Sequence, residues 1–368
     1  MKIVGIHLEP GGVGWLRCWN WTTALKSRGH DVKHRPHEAT QFQWSEIDNL
    51  LRGADAVITC RMANAQVFAA LMAGRDHFGY KLIVDTDDYS DDLPKYNQAH
   101  SDYHAGAGVS RLVRGELREA DLVTVSTEPL AEWARKYAKR VVTVPNCIDI
   151  RMYKDVRTRQ KEARHRDDIR IYWGGGGGHY GDLLKVRDSL LRIFAERSNV
   201  KLVFSNILPD WAADLPPYRS FFIRFAHWNA YPKVLKWICP DVVISPLEEN
   251  QFNRCKSNIK YLTYAMADVP GVYQDIEAYD CVQHGLTGMK ARTDADWYKH
   301  INTLLDNRVL ASEIAHRAKQ DVLRRWTIDS HIARYERMLE ELIAPKPTVE
   351  LKMLEEGKPV EATQWVSS

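Results

Sequence analysis

The chain has 368 residues, of which 45% are hydrophobic and 27% charged, with a formal net charge of +3. This balance excludes a disordered chain, and no window approaches the roughly 20 apolar residues that span a bilayer. The length exceeds one ordinary core, so two domains are expected. The apolar N-terminal stretch is broken by His7 and Pro10 and is too short for a signal peptide. Six scattered cysteines without a CxxC pair favour a reducing, cytoplasmic location.

Short apolar runs alternate with helix-length amphipathic segments through the first 150 residues. The predicted strands are KIVGIHL, DVKHRP, DAVITC, KLIVDTDD, DLVTVST and VVTVPN. Helices are expected between them, the first over Trp15 to Arg28 and the last over Glu128 to Lys139. This alternation is typical of βαβ units on a parallel sheet. Residues 1–150 are therefore predicted to form one α/β domain.

A second series of the same kind is predicted to form a domain over 151–325. Its strands are IRIYWG, VKLVFSN, DVVISPL and VPGVYQD. The charged stretch RTRQKEARHRDD before it lacks an apolar period and is predicted to be a solvated linker. A last helical segment is predicted over 326–345, where Pro345 and Pro347 end the run, and 346–368 are predicted to form a tail.

An aromatic interval in the second series is predicted to be core, with Trp228 as an alternative nucleobase contact. Its members are Phe221, Phe222, Phe225, Trp228, Tyr231 and Trp237.

Five consecutive glycines, Gly174 to Gly178, follow a predicted strand and precede a helix. Bare backbone amides at such a place can face a phosphate, which makes Gly175 and Gly176 candidate phosphate contacts. A turn without a ligand is the alternative, and a Walker A loop is excluded because no Gly-Lys-Ser/Thr follows. His179 and Asp182 are expected either to cap the helix or to contact a ligand.

The segment ISPLEENQFNRCKSNIKYLTYAMADVPGVYQD places four polar residues near the predicted start of a helix: Arg254, Lys256, Ser257 and Asn258. Cations, a hydroxyl and free helix amides together favour an anion site.

This segment resembles the donor-binding segment of retaining GT-B glycosyltransferases of family 4, the glycosyl transferases group 1. YWGGGGGHYGDL, VSTEPLAEWARKYAKRVVTVPNCID and HGLTGM resemble that family's glycine turn, domain crossover and late loop. The resemblance covers most of residues 1–340. It implies two Rossmann-like domains facing across a cleft, with the C-terminal helix crossing back. It also implies a hexosyltransferase-type enzyme that uses a nucleoside diphosphate sugar, such as a UDP-sugar, with retention and without cofactor or metal.

The resemblance further implies site residues in the first domain. GGVGWLRCWN resembles the family's glycine loop, which approaches donor and acceptor, so Gly12 and Gly14 become candidate donor-binding residues. The other candidate donor-binding residues are Gly175, Gly176, His179, Arg254, Lys256, Ser257 and Asn258. Arg17 becomes a candidate catalytic cation. A plain strand-to-helix turn and a surface arginine are the alternatives.

The acidic run DTDDYSDDLPKYN supplies the remaining catalytic candidates, Asp85 and Asp87, which would orient the acceptor or act as base. Together with Asp88 they could instead bind a divalent metal, and capping of the strand end is a further alternative. The resemblance implies no obligate metal.

The sequence departs from the family at three positions. Cys255 and Thr263 stand where two glutamates normally contact sugar and ribose, and Asp268 replaces a glycine. Glu248 or Glu249 could supply a lost carboxylate, although a solvated loop is the alternative.

Three functions stay open at this stage. The first is sugar transfer to a glycan or lipid-linked glycan. The second is a bacteriophage-type DNA glycosyltransferase acting on hydroxymethylated bases, for which basic residues of the first domain would follow the phosphates. Ordinary charge on a helix surface is the alternative for these residues, which are Arg111, Arg114, Arg118, Arg135, Lys136, Lys139 and Arg140. The third is a non-catalytic nucleotide-sugar-binding protein, suggested by the lost glutamates.

Overall fold

The computed structural model describes residues 1–8, 12–37, 44–60, 63–104, 106–154, 168–224 and 227–344. Most of the predicted linker, the predicted tail 346–368 and Phe225 lie outside these residues.

The first lobe is built on six parallel strands in the order β2-β1-β3-β4-β5-β6. The strands are β1 Lys2–Leu8, β2 Asp31–His37, β3 Ala56–Cys60, β4 Lys81–Thr86, β5 Leu122–Val125 and β6 Val141–Thr143. One helix lies between each pair of consecutive strands: α1 Asn20–Ser27, α2 Trp44–Leu51, α3 Ala65–Phe78, α4 Gly108–Glu119 and α5 Glu128–Ala134. Strands β3 and β5 are buried along their whole length, as expected when helices cover both faces of a parallel sheet.

The second lobe has a second six-stranded sheet, in the order β12-β11-β10-β7-β8-β9. Its strands, also parallel, are β7 Ile169–Gly174, β8 Val200–Ser205, β9 Ser220–Ile223, β10 Val242–Ser245, β11 Gly271–Gln274 and β12 Met289–Ala291. Its helices are α6 Arg187–Glu196, α7 Tyr231–Ile238, α8 Ile259–Met266, α9 Asp294–Asp306 and α10 Arg308–Arg325.

Shorter helical pieces join these elements. In the first lobe they are the turn Gly12–Gly14 and the π-helix Trp15–Trp19. In the rest of the chain they are Ile150–Tyr153, Gly177–His179, Gly181–Val186, Asp210–Ala213, Trp228–Ala230, Gln251–Arg254 and Glu277–Tyr279.

The last helix, α11 Ile328–Ile343, packs on the first lobe. It begins at a capping box on Thr327, and Trp326 separates it from α10. Its apolar face shares a buried cluster with residues of α1 and the first sheet, where the rings of Trp21 and Tyr335 lie 4.8 Å apart between centroids. The predicted crossing back of the C-terminal helix is confirmed.

Two sequence predictions are wrong in detail. The helix expected near Lys256 begins only at Ile259, because the chain first makes the separate turn Gln251–Arg254. The aromatic interval is not uniformly core: Phe222 is 46% and Trp237 73% exposed. Phe222 lies on β9 at the edge of the sheet, and Trp237 lies on α7 away from that helix's buried residues.

Candidate functional site

Two adjoining cavities lie at the carboxyl ends of the second lobe's central strands, where open α/β sheets bind ligands. The inner cavity has a volume of about 180 Å³ and is lined by Gly174, Gly175, Gly176, Ser205, Asn206, Arg224, Trp228, Tyr231, Val234, Ile259, Lys260 and Thr263. The interlobe cavity has a volume of about 330 Å³ and is lined by Asp88, Tyr89, Ser90, Leu93, Asn97, Gln98, Ala99, Tyr103, Gly176, Gly177, Gly178, His179, Phe252 and Lys256. Gly176 belongs to both, so one extended ligand could occupy them together.

The glycine run serves both cavities in different ways. At Gly176 an added Cβ would meet no atom within 4 Å, so its backbone is open to a ligand. At Gly177 a Cβ would clash with the Gln98 side chain, and at Gly178 it would lie 3.0 Å from Nδ2 of Asn97. Gly177 and Gly178 therefore lack side chains at the place where Gln98 and Asn97 of the first lobe pack against them.

Two lysines bring positive charge to the junction of the cavities. Nζ of Lys256 lies 2.5 Å from Oδ1 of Asp88 and 4.1 Å from the centroid of the Phe252 ring. Nζ of Lys260 is buried, has no hydrogen-bond partner within the described part of the chain, and lies 4.8 Å from the centroid of a Trp173 ring. A buried ammonium without a partner is unfavourable until an anion reaches it.

Burial lowers the pKa of Lys260 to about 8, while the charge of Asp182 raises it and that of Lys256 lowers it. Lys260 is not among the site residues that the sequence predicts. Lys256 precedes α8 whereas Lys260 lies in its first turn, so no helical spacing pairs the two lysines.

A buried His–Asp pair lies beside the lysines. Nδ1 of His179 is 2.7 Å from Oδ2 of Asp182. Oδ1 of Asp182 accepts hydrogen bonds from the backbone N–H of Glu248, from Nδ2 of Asn253 and from the Tyr96 hydroxyl, at 2.8, 2.7 and 3.2 Å. Because the carboxylate accepts, Nδ1 of the ring carries the proton.

Burial first, and then the charge of Lys260, lowers the pKa of His179 to about 4, although Asp182 partly opposes this shift. The ring is therefore neutral near pH 7, and its Nε2 is a hydrogen-bond acceptor.

The first lobe contains a buried ion pair between two of the predicted catalytic residues. Nε and Nη2 of Arg17 donate to Oδ1 and Oδ2 of Asp85 at 3.0 and 2.8 Å. Nη1 of Arg17 donates to the carbonyl of Val144 and to Oδ1 of Asn146 at 2.6 and 3.0 Å, and the Thr124 hydroxyl donates to Asp85 at 2.6 Å.

Both side chains of this pair are almost fully buried. Burial lowers the pKa of Arg17, but the charge and hydrogen bonds of Asp85 outweigh it and raise the pKa above its ordinary value. The alternative of a surface arginine is therefore wrong. A catalytic role for Arg17, Asp85 and the half-buried Asp87 stays a prediction.

The remaining predicted donor residues are scattered. An added Cβ on Gly12 would lie 3.5 Å from the Trp228 ring, so this glycine faces the second lobe. Gly14 is buried at the start of the π-helix. Arg254 is about half exposed and pairs with Glu277 at 3.4 Å.

Ser257 and Asn258 are occupied by other parts of the protein. The Ser257 hydroxyl accepts a hydrogen bond from Nδ2 of Asn146 at 2.8 Å, which links the lobes. Nδ2 of Asn258 donates to Sγ of Cys281 at 3.3 Å. Neither residue lines the two cavities.

The positions that depart from the family pattern have different surroundings. Cys255 is buried in the hydrophobic cluster of the first lobe, and its carbonyl accepts a hydrogen bond from Thr127 at 2.8 Å. Thr263 lines the inner cavity. Asp268 has a φ of 55°, a conformation that favours glycine, and pairs with Lys319 at 2.6 Å. Glu248 lines neither cavity.

No protein-family model and no curated protein sequence matches this chain. Solved structures do match. Anabaena HepE in complex with UDP-glucose matches with a TM-score of 0.67 and 13% identity over 93% of this chain and 100% of that chain. A glycosyltransferase from Rickettsia africae ESF-5 matches with a TM-score of 0.66 and 11% identity over 94% of this chain and 100% of that chain. Sucrose-phosphate synthase from Thermosynechococcus elongatus matches with a TM-score of 0.61 and 11% identity over 93% of this chain and 99% of that chain.

At these identities the likeness shows the fold. The chain has the two-lobed α/β fold of GT-B glycosyltransferases, as the sequence predicts. Within the described residues, no helix is long and apolar enough to cross a membrane. No group of three or more His, Cys, Asp or Glu side chains there is arranged to hold a metal ion.

Proposed function

We propose that this protein transfers a sugar from a nucleoside diphosphate donor, such as a UDP-sugar, to an acceptor hydroxyl. The observation that carries the proposal is the ammonium of Lys260, which is buried at the inner cavity without a hydrogen-bond partner in the part of the chain described. A diphosphate supplies the negative charge that this group lacks. The GT-B fold supports the proposal, since its solved relatives include HepE bound to UDP-glucose.

The donor would extend across both cavities. The inner cavity offers the flat rings of Trp228 and Tyr231, which stack with centroids 5.8 Å apart, as a wall for a nucleobase. Lys260, Lys256 and the open backbone at Gly176 would hold the diphosphate where the cavities meet. Gly12 and Gly175 would allow close approach, whereas Gly14, Arg254, Ser257 and Asn258 would support the site from outside the cavities.

Leaving-group stabilisation is the catalytic contribution that this arrangement favours. Negative charge grows on the diphosphate as the sugar departs, and preorganised cations beside it lower the barrier. We propose retention of configuration, no metal and a glycan or lipid-linked glycan as acceptor, all on the resemblance to family 4. Arg17 and Asp85 would act through the neighbouring Asp87, whose charge interacts with Arg17, because their own charged atoms are enclosed by protein.

A modified DNA base as acceptor, or a binding protein without turnover, remains a second candidate. The loss of the family glutamates at Cys255 and Thr263 supports the latter. Hydroxymethylated DNA and glycan acceptors, offered in parallel with a radiolabelled donor, separate these functions. Label in DNA supports the modified base, label in the glycan supports the glycan acceptor, and bound donor without transfer supports the binding protein.

The decisive experiment is calorimetry with UDP, GDP and ADP on the wild type, on Lys260→Met and on the exposed control Lys299→Met. We expect wild-type binding that weakens at least about tenfold in Lys260→Met, since a buried charge-assisted hydrogen bond contributes about 1.5–3 kcal/mol. The control should bind normally. Wild-type protein that binds no nucleoside diphosphate, or equal binding by Lys260→Met, would contradict the proposal.

A further inference from the structure

The interlobe cavity differs in chemistry from the inner cavity. Its two charged side chains, Asp88 and Lys256, contact each other. The other polar side chains are uncharged amide, hydroxyl and imidazole groups, among them Asn97, Gln98 and His179. Such donors and acceptors match the hydroxyls of an uncharged, polar molecule.

Apolar surface completes the cavity. Leu93, Tyr103 and the Phe252 ring line it beside the amides. A sugar ring presents hydroxyls at its edge and C–H groups on its faces, so it needs both kinds of surface. The cavity also adjoins the proposed diphosphate position at Gly176.

The first lobe contributes to this cavity through a close contact with the second. The segment after β4 packs on the glycine run, where a Cβ on Gly177 would clash with Gln98. The Tyr96 hydroxyl fixes this segment by donating to Asp182, and it accepts from Nδ2 of Asn250 at 3.2 Å. Gln98 itself is exposed within the cleft, so its amide is available to a ligand.

His179 contributes an acceptor from the second lobe. Its Nδ1 is held by Asp182 at 2.7 Å, which fixes the ring and directs the opposite edge, with Nε2, away from that carboxylate. The ring lines the interlobe cavity. An acceptor at this place can bind a hydroxyl but not an unprotonated phosphate oxygen.

We infer that the interlobe cavity holds the transferred sugar, and that His179 and Gln98 recognise its hydroxyl groups from opposite lobes. This inference rests on the proposed function and adds the residues that select the donor sugar. It also explains how sugar could be recognised without glutamates, since Cys255 is buried in the first lobe's core. Recognition of the sugar by Gln98 then depends on the contact between the two lobes.

The test compares UDP with UDP-glucose, UDP-galactose and UDP-N-acetylglucosamine in calorimetry. The variants are His179→Ala and Gln98→Ala, and the matched controls are His316→Ala and Gln320→Ala, which replace exposed side chains on α10. Gln98→Ala alters an exposed side chain, so it should fold even if His179→Ala does not.

We expect each site variant to weaken binding of the preferred UDP-sugar by about three- to tenfold, the effect of one lost neutral hydrogen bond, and to leave UDP binding unchanged. Equal loss for UDP and UDP-sugar would overturn the inference, because His179 or Gln98 would then contact phosphate or act on folding. Unchanged binding of every UDP-sugar by Gln98→Ala and by folded His179→Ala would overturn it too. Wild-type protein that binds neither UDP nor any of the three UDP-sugars would instead refute a UDP-sugar as the proposed donor.

Discussion

Removing one partner of the Arg17–Asp85 ion pair should destabilise the first lobe. Asp85→Asn keeps the shape of the side chain but leaves the guanidinium of Arg17 without its counter-charge. Arg17 is 2% exposed and also donates to two other groups, the Val144 carbonyl and Asn146, so it cannot turn to solvent. The same argument applies to Arg17→Met, which leaves a buried carboxylate.

The expected magnitude follows from the depth of burial. Breaking a buried pair by removing one partner costs about 3–5 kcal/mol, because the remaining charge is desolvated without compensation. Asp85→Asn should lie near the lower end, since the Thr124 hydroxyl and the amide can still form hydrogen bonds. The double variant Arg17→Met/Asp85→Leu leaves no buried charge and should cost less than either single change.

Urea unfolding followed by circular dichroism measures these free energies, and UDP calorimetry on the same samples measures the donor site. We expect large losses of stability for the single variants, partial recovery in the double variant, and UDP affinity that is retained wherever the protein is folded. An Asp85→Asn protein as stable as wild type but without turnover would refute the structural interpretation and support the predicted catalytic role.

Three further predictions concern single titratable groups. Burial raises the pKa of the Glu116 carboxyl from its ordinary 4.5 to about 7. The folded protein therefore holds a proton that the unfolded chain releases, and the stability that this proton contributes is lost as the pH rises from about 4.5 through 7. Glu116→Gln should therefore raise the free energy of unfolding by about 1–3 kcal/mol at pH 8 and change it little at pH 4, in denaturant titrations at both values. With the pKa of Lys260 near 8, UDP affinity should fall about three- to fivefold between pH 7 and 8.5 in wild type but not in Lys260→Met, and a parallel fall in both would contradict the assignment. Lys256→Ala should weaken UDP binding by about tenfold in calorimetry and lower turnover as well, with folding nearly unaffected; unchanged affinity would remove Lys256 from the donor site.

The sequence alone determined the layered architecture. Strand β1 spans the residues predicted for it, and the other apolar runs became the parallel strands of two separate sheets. The reason is local: strands covered on both faces must be apolar throughout, and helices between them carry a helical period. The turn at Gly176 follows from an equally local signal, whereas the return of α11 to the first lobe was implied by the resemblance.

Only the tertiary structure decided what each polar residue contacts. Arg17 and Asp85 are 68 positions apart, and Lys256 and Asp88 are 168 apart, yet each pair meets directly. The packing around Lys260 buries its ammonium, which no pattern in the sequence indicates. The Lys256–Asp88 contact depends on how the lobes dock, and the other two outcomes depend on packing within one lobe. Residue spacing along the chain carries no information about such long-range contacts.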